Sequence, residues 1–258
     1  MTTYRPYSIV TPEFQITSGG IRVMYALHGW LLAKGQISFL NQFPNDDFIA
    51  IYPEIVRGNP TEAKHIVRYI LAKPGEMSVK GEPGPTVFPV SDKIYFFSEL
   101  YNTMGADKDH IMFLPVLNLH LFKVTNTGKR KRNCKLIGKG SDLHLKETEG
   151  LFEVTREFAN DQGKLADYLN ECETMYSYDN HSAMFEIARL CGCRVVVIPY
   201  QYTKEEFSKY EPGMNGISYG IEENVPLDSR SFRRHYIGMI KNFNGKLEKF
   251  IEDTQTWD

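Results

Sequence analysis

The apolar and polar positions between Glu173 and Pro199 fall into blocks that predict strand, loop, helix and strand in succession. Glu173 to Tyr176 leads into the polar run Tyr178-Asp179-Asn180-His181. From Ser182 the spacing turns helical: Ala183, Ile187, Leu190 and Cys191 recur at i, i+4, i+7 and i+8, one apolar face. Gly192 follows at once, where a left-handed residue ends a helix at least cost. Val195, Val196, Val197 and Ile198 then run without a polar break, as a parallel strand covered on both faces does. Pro199 closes it. Such a strand–helix–strand unit is right-handed. Its opening loop lies at the carboxyl end of a strand, where open α/β sheets bind ligands.

Similar blocks recur along the chain. Tyr7 to Thr11 predicts a strand, followed by Gly19-Gly20 and a helix from Ile21 to about Lys34. Val23, Met24, Leu27 and Leu31 line its apolar stripe, and Gly35 stops it. Phe48 to Tyr52 predicts a second strand. Ala63, Val67, Ile70 and Leu71 predict a helix from Thr61 to about Leu71. Met77 to Val90, rich in Gly and Pro, reads as ordered loop or short edge strands. Lys93 to Phe97 and His110 to Pro115 predict two more strands. Cys134 to Ile137 predicts another, with Gly138-Lys139-Gly140 after it. Leu151 to Thr155 reads as short strand or loop, Gln162 to Asn170 and Tyr200 to Tyr210 as helices, and Pro212 to Gly220 as loop. Phe232, Tyr236, Ile240, Phe243 and Leu247 mark a long helix over Ser231 to Phe250.

The sum is an α/β protein of two halves, each with parallel strands feeding helices. Composition shifts sharply at Thr125 to Asn133, which holds Lys129-Arg130-Lys131-Arg132 in a row and sets the expected boundary. The expected domains are therefore 1–125 and 126–230, with 231–258 as a C-terminal helix.

Composition narrows the function classes. The formal net charge is −2 over 258 residues, so nothing argues for nucleic-acid binding. No apolar run approaches a transmembrane span and no secretory leader is seen, which gives an expected cytoplasmic location. Cys134, Cys172, Cys191 and Cys193 have neither zinc nor redox spacing and read as buried reduced thiols. Aromatic residues make up 13%, which fits a dense core or a sugar-stacking surface.

Two stretches carry candidate chemistry. Gly19-Gly20, between strand and helix, lets backbone N–H groups approach an anion, and serves equally as a tight turn. Gly138-Lys139-Gly140 places a lysine where a phosphate could meet it, and serves equally as an exposed loop.

The segment YSYDNHSAMFEIARLCGCRVVVIP resembles the nucleotide-sugar site of GT-B glycosyltransferases. SGGIRVMYALHGWLLAKG resembles that family's first loop and helix. IAIYPEIVRGNPTEAKHIVRYILAKPG is similar to a stretch of bacterial polysaccharide glycosyltransferases, and LIGKG to the strand and basic loop opening their C-terminal domain. The resemblance implies the GT-B fold, two Rossmann-like domains facing across a cleft with the helix of 231–258 crossing back to the first, and metal-independent sugar transfer without a cofactor. The implied partners are a nucleotide-diphosphate sugar as donor and a glycan or lipid-linked molecule as acceptor. It implies that Ser182 and Ala183 hold the diphosphate, aided by Gly138 and His181. Lys139, with Arg130 or Arg132, would neutralise the leaving group. Glu186 or Asp179 would hold a ribose or sugar hydroxyl, and Gly19 and Gly20 would approach the phosphates. Glu54, Glu13 and His28 are the candidates for a general base. The sequence departs from the family's paired glutamates: Tyr178 stands eight positions before Glu186. A GT-B binding or scaffold module without transferase activity is the alternative, and another sugar-phosphate enzyme, such as an epimerase, a third.

Overall fold

The computed structural model describes residues 4–44, 47–79, 81–140 and 143–257. The chain divides into two units, Met1–Val116 with Met239–Asp258, and Leu117–Gly238.

In the first unit, β1 (Tyr7–Ile9) leads to α1 (Gly19–Ala33), then β2 (Ser38–Leu40), β3 (Ile49–Pro53) and β4 (His65–Ile70). A small antiparallel pair, β5 (Ser78–Val79) and β6 (Glu82–Pro83), precedes β7 (Lys93–Phe96). The main sheet runs β2-β1-β3-β4-β7 and every pairing is parallel. Ser18 caps α1, its Oγ accepting from the Ile21 N–H at 3.4 Å. The apolar stripe of α1, Val23, Met24, Leu27 and Leu31, packs with Ile9, Ile51 and Val67 of the sheet. Each such side chain withdrawn from water contributes about 1.5–3 kcal/mol.

Two expectations are corrected here. The helix expected over Thr61 to Leu71 is the strand β4, with all six residues buried. Its apolar spacing suits a helix face, but a strand covered on both sides is apolar at consecutive positions too. Arg68 decides the matter. It is 1% exposed and is neutralised by Asp92, whose Oδ2 lies 2.7 Å from Nε. Its other nitrogens donate to the carbonyls of Val56 and Gly58. The strand expected at His110 to Pro115 is reduced to a single bridge between Phe96 and Ile111, after a 3₁₀ turn at Lys108–His110. The edge strand β2 was not expected.

The second unit contains β8 (Arg132–Leu136), β9 (Phe152–Glu153), α2 (Arg156–Asn160), α3 (Gln162–Glu171) and β10 (Cys172–Ser177). Then follow α4 (Met184–Leu190), β11 (Arg194–Val197), α5 (Lys204–Phe207), β12 (Ile217–Tyr219) and α6 (Ser229–Gln255). The division between units falls within α6, after Gly238. Phe243, Leu247 and Phe250 of α6 belong to the core of the first unit. Gly192 takes φ +83° just past α4, the left-handed stop its position predicts. β12 lies inside the stretch expected as loop.

The second sheet runs β12-β11-β10-β8-β9, again parallel throughout. Counting strands within each five-stranded sheet, both share one order. The second strand lies outside the first, and the third, fourth and fifth follow on the other side. That is the flavodoxin-like doubly wound order, whose switch point lies between the first and third strands. The protein is thus mixed α/β with two five-stranded parallel sheets.

Candidate functional site

In the second unit the switch point lies between β8 and β10, where Leu136 pairs with Ser177. Past these residues the two strands give two loops, Ile137 to Gly140 and Tyr178 to His181. The loops touch. A methyl group added at Gly138, which has φ +54°, would lie 2.7 Å from Asp179 Oδ2. One added at Gly140 would run into the Tyr178 carbonyl and come 2.7 Å from its Cβ. Glycine here is a condition of the loops meeting.

The contact sets Lys139 against His181. Lys139 Nζ lies 3.2 Å from His181 Nε2 and 3.4 Å from Nδ1. Lys139 is exposed, whereas Asp179, Asn180 and His181 are buried. Asp179 Oδ1 accepts from the His181 N–H at 3.3 Å, and Ser177 Oγ donates to the Asp179 carbonyl at 2.7 Å. Asn180, fully buried, ties the loop to the end of β11. Its Nδ2 donates to the Ile198 carbonyl at 2.7 Å, and its Oδ1 accepts from the N–H groups of Tyr200 and Gln201. The imidazole therefore sits on a rigid base.

Beside these loops is a cavity of about 220 Å³. Ile137, Leu143, Leu145 and the Tyr178 ring form its apolar wall; Lys135, Lys146 and Glu149 supply its charge, and His144 adds an imidazole. Tyr178 Oη accepts from the Leu145 N–H at 3.0 Å and shares a 2.5 Å hydrogen bond with Thr148 Oγ1. The tyrosine thus anchors the loop that closes the cavity.

Of the residues expected to act together, the structure gathers Gly138, Lys139, Asp179 and His181. Ser182 and Ala183 follow directly and start α4, with Ser182 Oγ accepting from the Met184 N–H at 3.3 Å. Glu186 is held in the interior instead, 6% exposed, its Oε1 accepting from Tyr210 Oη at 2.5 Å. Arg130 and Arg132 lie at the amino end of β8, away from the loops. Arg130 donates to the carbonyls of Leu169, Cys172, Cys191 and Asn126. Arg132 pairs with Glu171 at 3.2 Å on the surface.

Gly19, Gly20 and Glu54 belong to the first unit. The glycines open α1, and a methyl at Gly20 would make ordinary contact with Leu71 Cδ1 at 3.4 Å. Glu54 is buried past β3, its Oε2 accepting from the Leu71 N–H at 2.8 Å. His28 Nδ1 lies 2.9 Å from Ser38 Oγ, joining α1 to β2. Glu13 is exposed.

Tyr178, Asn180 and the 143–149 loop were missed as site elements. Their roles depend on partners 18 to 33 residues away in sequence, and the usable signal was only their place beside a strand's carboxyl end. The chain has a D-x-D spacing at Asp107-Lys108-Asp109. Asp109 is paired with Lys246 at 3.3 Å and Lys249 at 2.9 Å. Among the described residues no cluster of His, Cys, Asp and Glu is placed to hold a metal ion. The four cysteines are buried and unbridged, and burial pushes the Cys191 thiol up to about 12. No helix among the described residues is long and apolar enough to cross a membrane.

No family model and no curated protein matches the chain. Among solved structures, it is similar to the C-terminus of E. coli RcsC, which contains a linker region and a phosphoreceiver domain. The identity is 12%, the coverage 94% of each chain and the TM-score 0.23. No comparison supports the glycosyl transfer expected from the sequence, and that expectation is withdrawn. At that TM-score nothing of the phosphoreceiver is carried to this chain either.

Proposed function

We propose that the second unit binds a small phosphate-bearing molecule at the carboxyl ends of β8 and β10. The observation that carries this reading is the convergence of Lys139 and His181 at the switch point of a parallel sheet. The exposed Lys139 ammonium donates to a buried imidazole nitrogen 3.2 Å away, and its remaining N–H groups are suited to phosphate oxygens. The loops that carry them are fixed by Asn180 and by the contacts of Gly138 and Gly140, so little ordering is needed on binding. On fold, the reading carried forward is that each unit is a Rossmann-like domain, as in GT-B proteins. The shared strand order of the two sheets supports it.

A thermal-shift series with inorganic phosphate, pyrophosphate and nucleoside diphosphates tests the binding. A ligand at 100 times its dissociation constant adds about 2.7 kcal/mol to stability. Stabilisation by at least one of these, reduced in Lys139→Ala, is the expected result. No shift with any of them at millimolar concentration overturns it.

A further inference from the structure

The cavity lined by Ile137 and Tyr178 holds more basic side chains than an apolar recess of its size needs. Its described walls hold Lys135 and Lys146, with the His144 imidazole, against the single carboxylate of Glu149. Lys135 is the informative one. It projects from within β8, is half-buried, and its Nζ reaches the Thr148 carbonyl only at 3.5 Å. That is the outer limit of a hydrogen bond. An acidic group in the cavity would give this lysine a short charge-assisted bond instead. The volume, about 220 Å³, is several times the roughly 30 Å³ share of one water in the liquid. It can admit part of a small organic molecule, with the Tyr178 ring and neighbouring leucines against its carbons.

The cavity and the Lys139–His181 pair are built on the same two loops. Ile137 lines the cavity and Lys139 stands two positions on; Tyr178 lines it and His181 stands three positions on. We infer that the ligand is doubly anionic. Its phosphate meets Lys139 and His181, and a second acidic group, carboxylate or phosphate, enters the cavity and meets Lys135. This rests on the phosphate-binding reading above and narrows its ligand class to phosphorylated sugar acids and bisphosphates.

Titration calorimetry on the full chain with three probes tests it. Glucose 6-phosphate has one phosphate, 6-phosphogluconate adds a carboxylate, and fructose 1,6-bisphosphate adds a second phosphate. At least one doubly anionic probe is expected to bind tenfold or more tighter than glucose 6-phosphate, and which one identifies the second group. Lys135→Met should bring that probe down to the level of glucose 6-phosphate and leave glucose 6-phosphate unchanged. Lys146→Ala, a surface change, should weaken it in the same direction if Lys135→Met fails to fold. Lys139→Ala should weaken all three. Equal affinity for the three probes in the unmodified protein, with all three lost in Lys139→Ala, overturns the second subsite and leaves the phosphate site standing. Absence of binding by every probe, inorganic phosphate included, overturns both.

Discussion

The two ends of the second sheet use basic residues in opposite ways. At the amino end, the Arg130 guanidinium lies over Gly192 and donates to four backbone carbonyls, among them those of Leu169, Cys172 and Cys191 near the ends of α3 and α4. At the carboxyl end, Lys139 rides an exposed glycine loop with its Nζ 3.2 Å from His181 Nε2. Sequence alone gave both residues the same role, meeting phosphate. The difference teaches that a basic residue near a strand end is read by which end it occupies. Helix carboxyl termini collect unsatisfied carbonyls that an arginine fork can satisfy. The carboxyl ends of parallel strands open onto the switch-point crevice.

This contrast can be broken by mutation. Arg130→Ala should have the largest effect, a loss of about 3 kcal/mol, because it strands part-buried carbonyls. Chemical denaturation would show it as a lower midpoint, and phosphate affinity of the folded fraction should stay the same. Gly140→Ala comes next, at about 2 kcal/mol, since its methyl group must displace the Tyr178 backbone. The same variant should also weaken ligand binding, because the two loops can no longer meet. Lys139→Ala should leave stability within about 0.5 kcal/mol, as an exposed surface change does, yet weaken pyrophosphate binding about tenfold.

The smallest effect concerns the first unit. Burial lowers the proton affinity of His28 below its ordinary value of 6.5, and burial also lowers that of His65. The unfolded chain then takes up these protons first as pH falls. Their contribution is whole above 6.5 and is lost as pH falls through the folded-state values. Thermal midpoints should therefore drop modestly on acidification below 6.5, with a shallower slope in His28→Asn.

Much of the fold was legible because the signals were local. The unbroken Val195 to Val197 run, the left-handed Gly192 and the stripe of α1 each depend on residues within one element. β4 was misread because Val67, Ile70 and Leu71 satisfy helical spacing, while the evidence for a strand, the Arg68–Asp92 pair, spans 24 residues. β2 and β12, at three residues each, leave too short a pattern to register. At the site, Gly138-Lys139-Gly140 and Asp179 to His181 were visible as polar loops after strands. Glu186 looked equally available, and only the distant Tyr210 shows that it is turned inward. Tyr178 gave no sign of its hold on Leu145 and Thr148.

Pyrophosphate titrated calorimetrically into the unmodified protein, Arg130→Lys and Lys139→Ala measures the central contrast directly. Affinity that falls about tenfold in Lys139→Ala alone, with the thermal midpoint depressed in Arg130→Lys alone, is what opposite roles for the two ends predict. Affinity that survives in Lys139→Ala but is lost in folded Arg130→Lys would put the anion at the amino end and contradict the account.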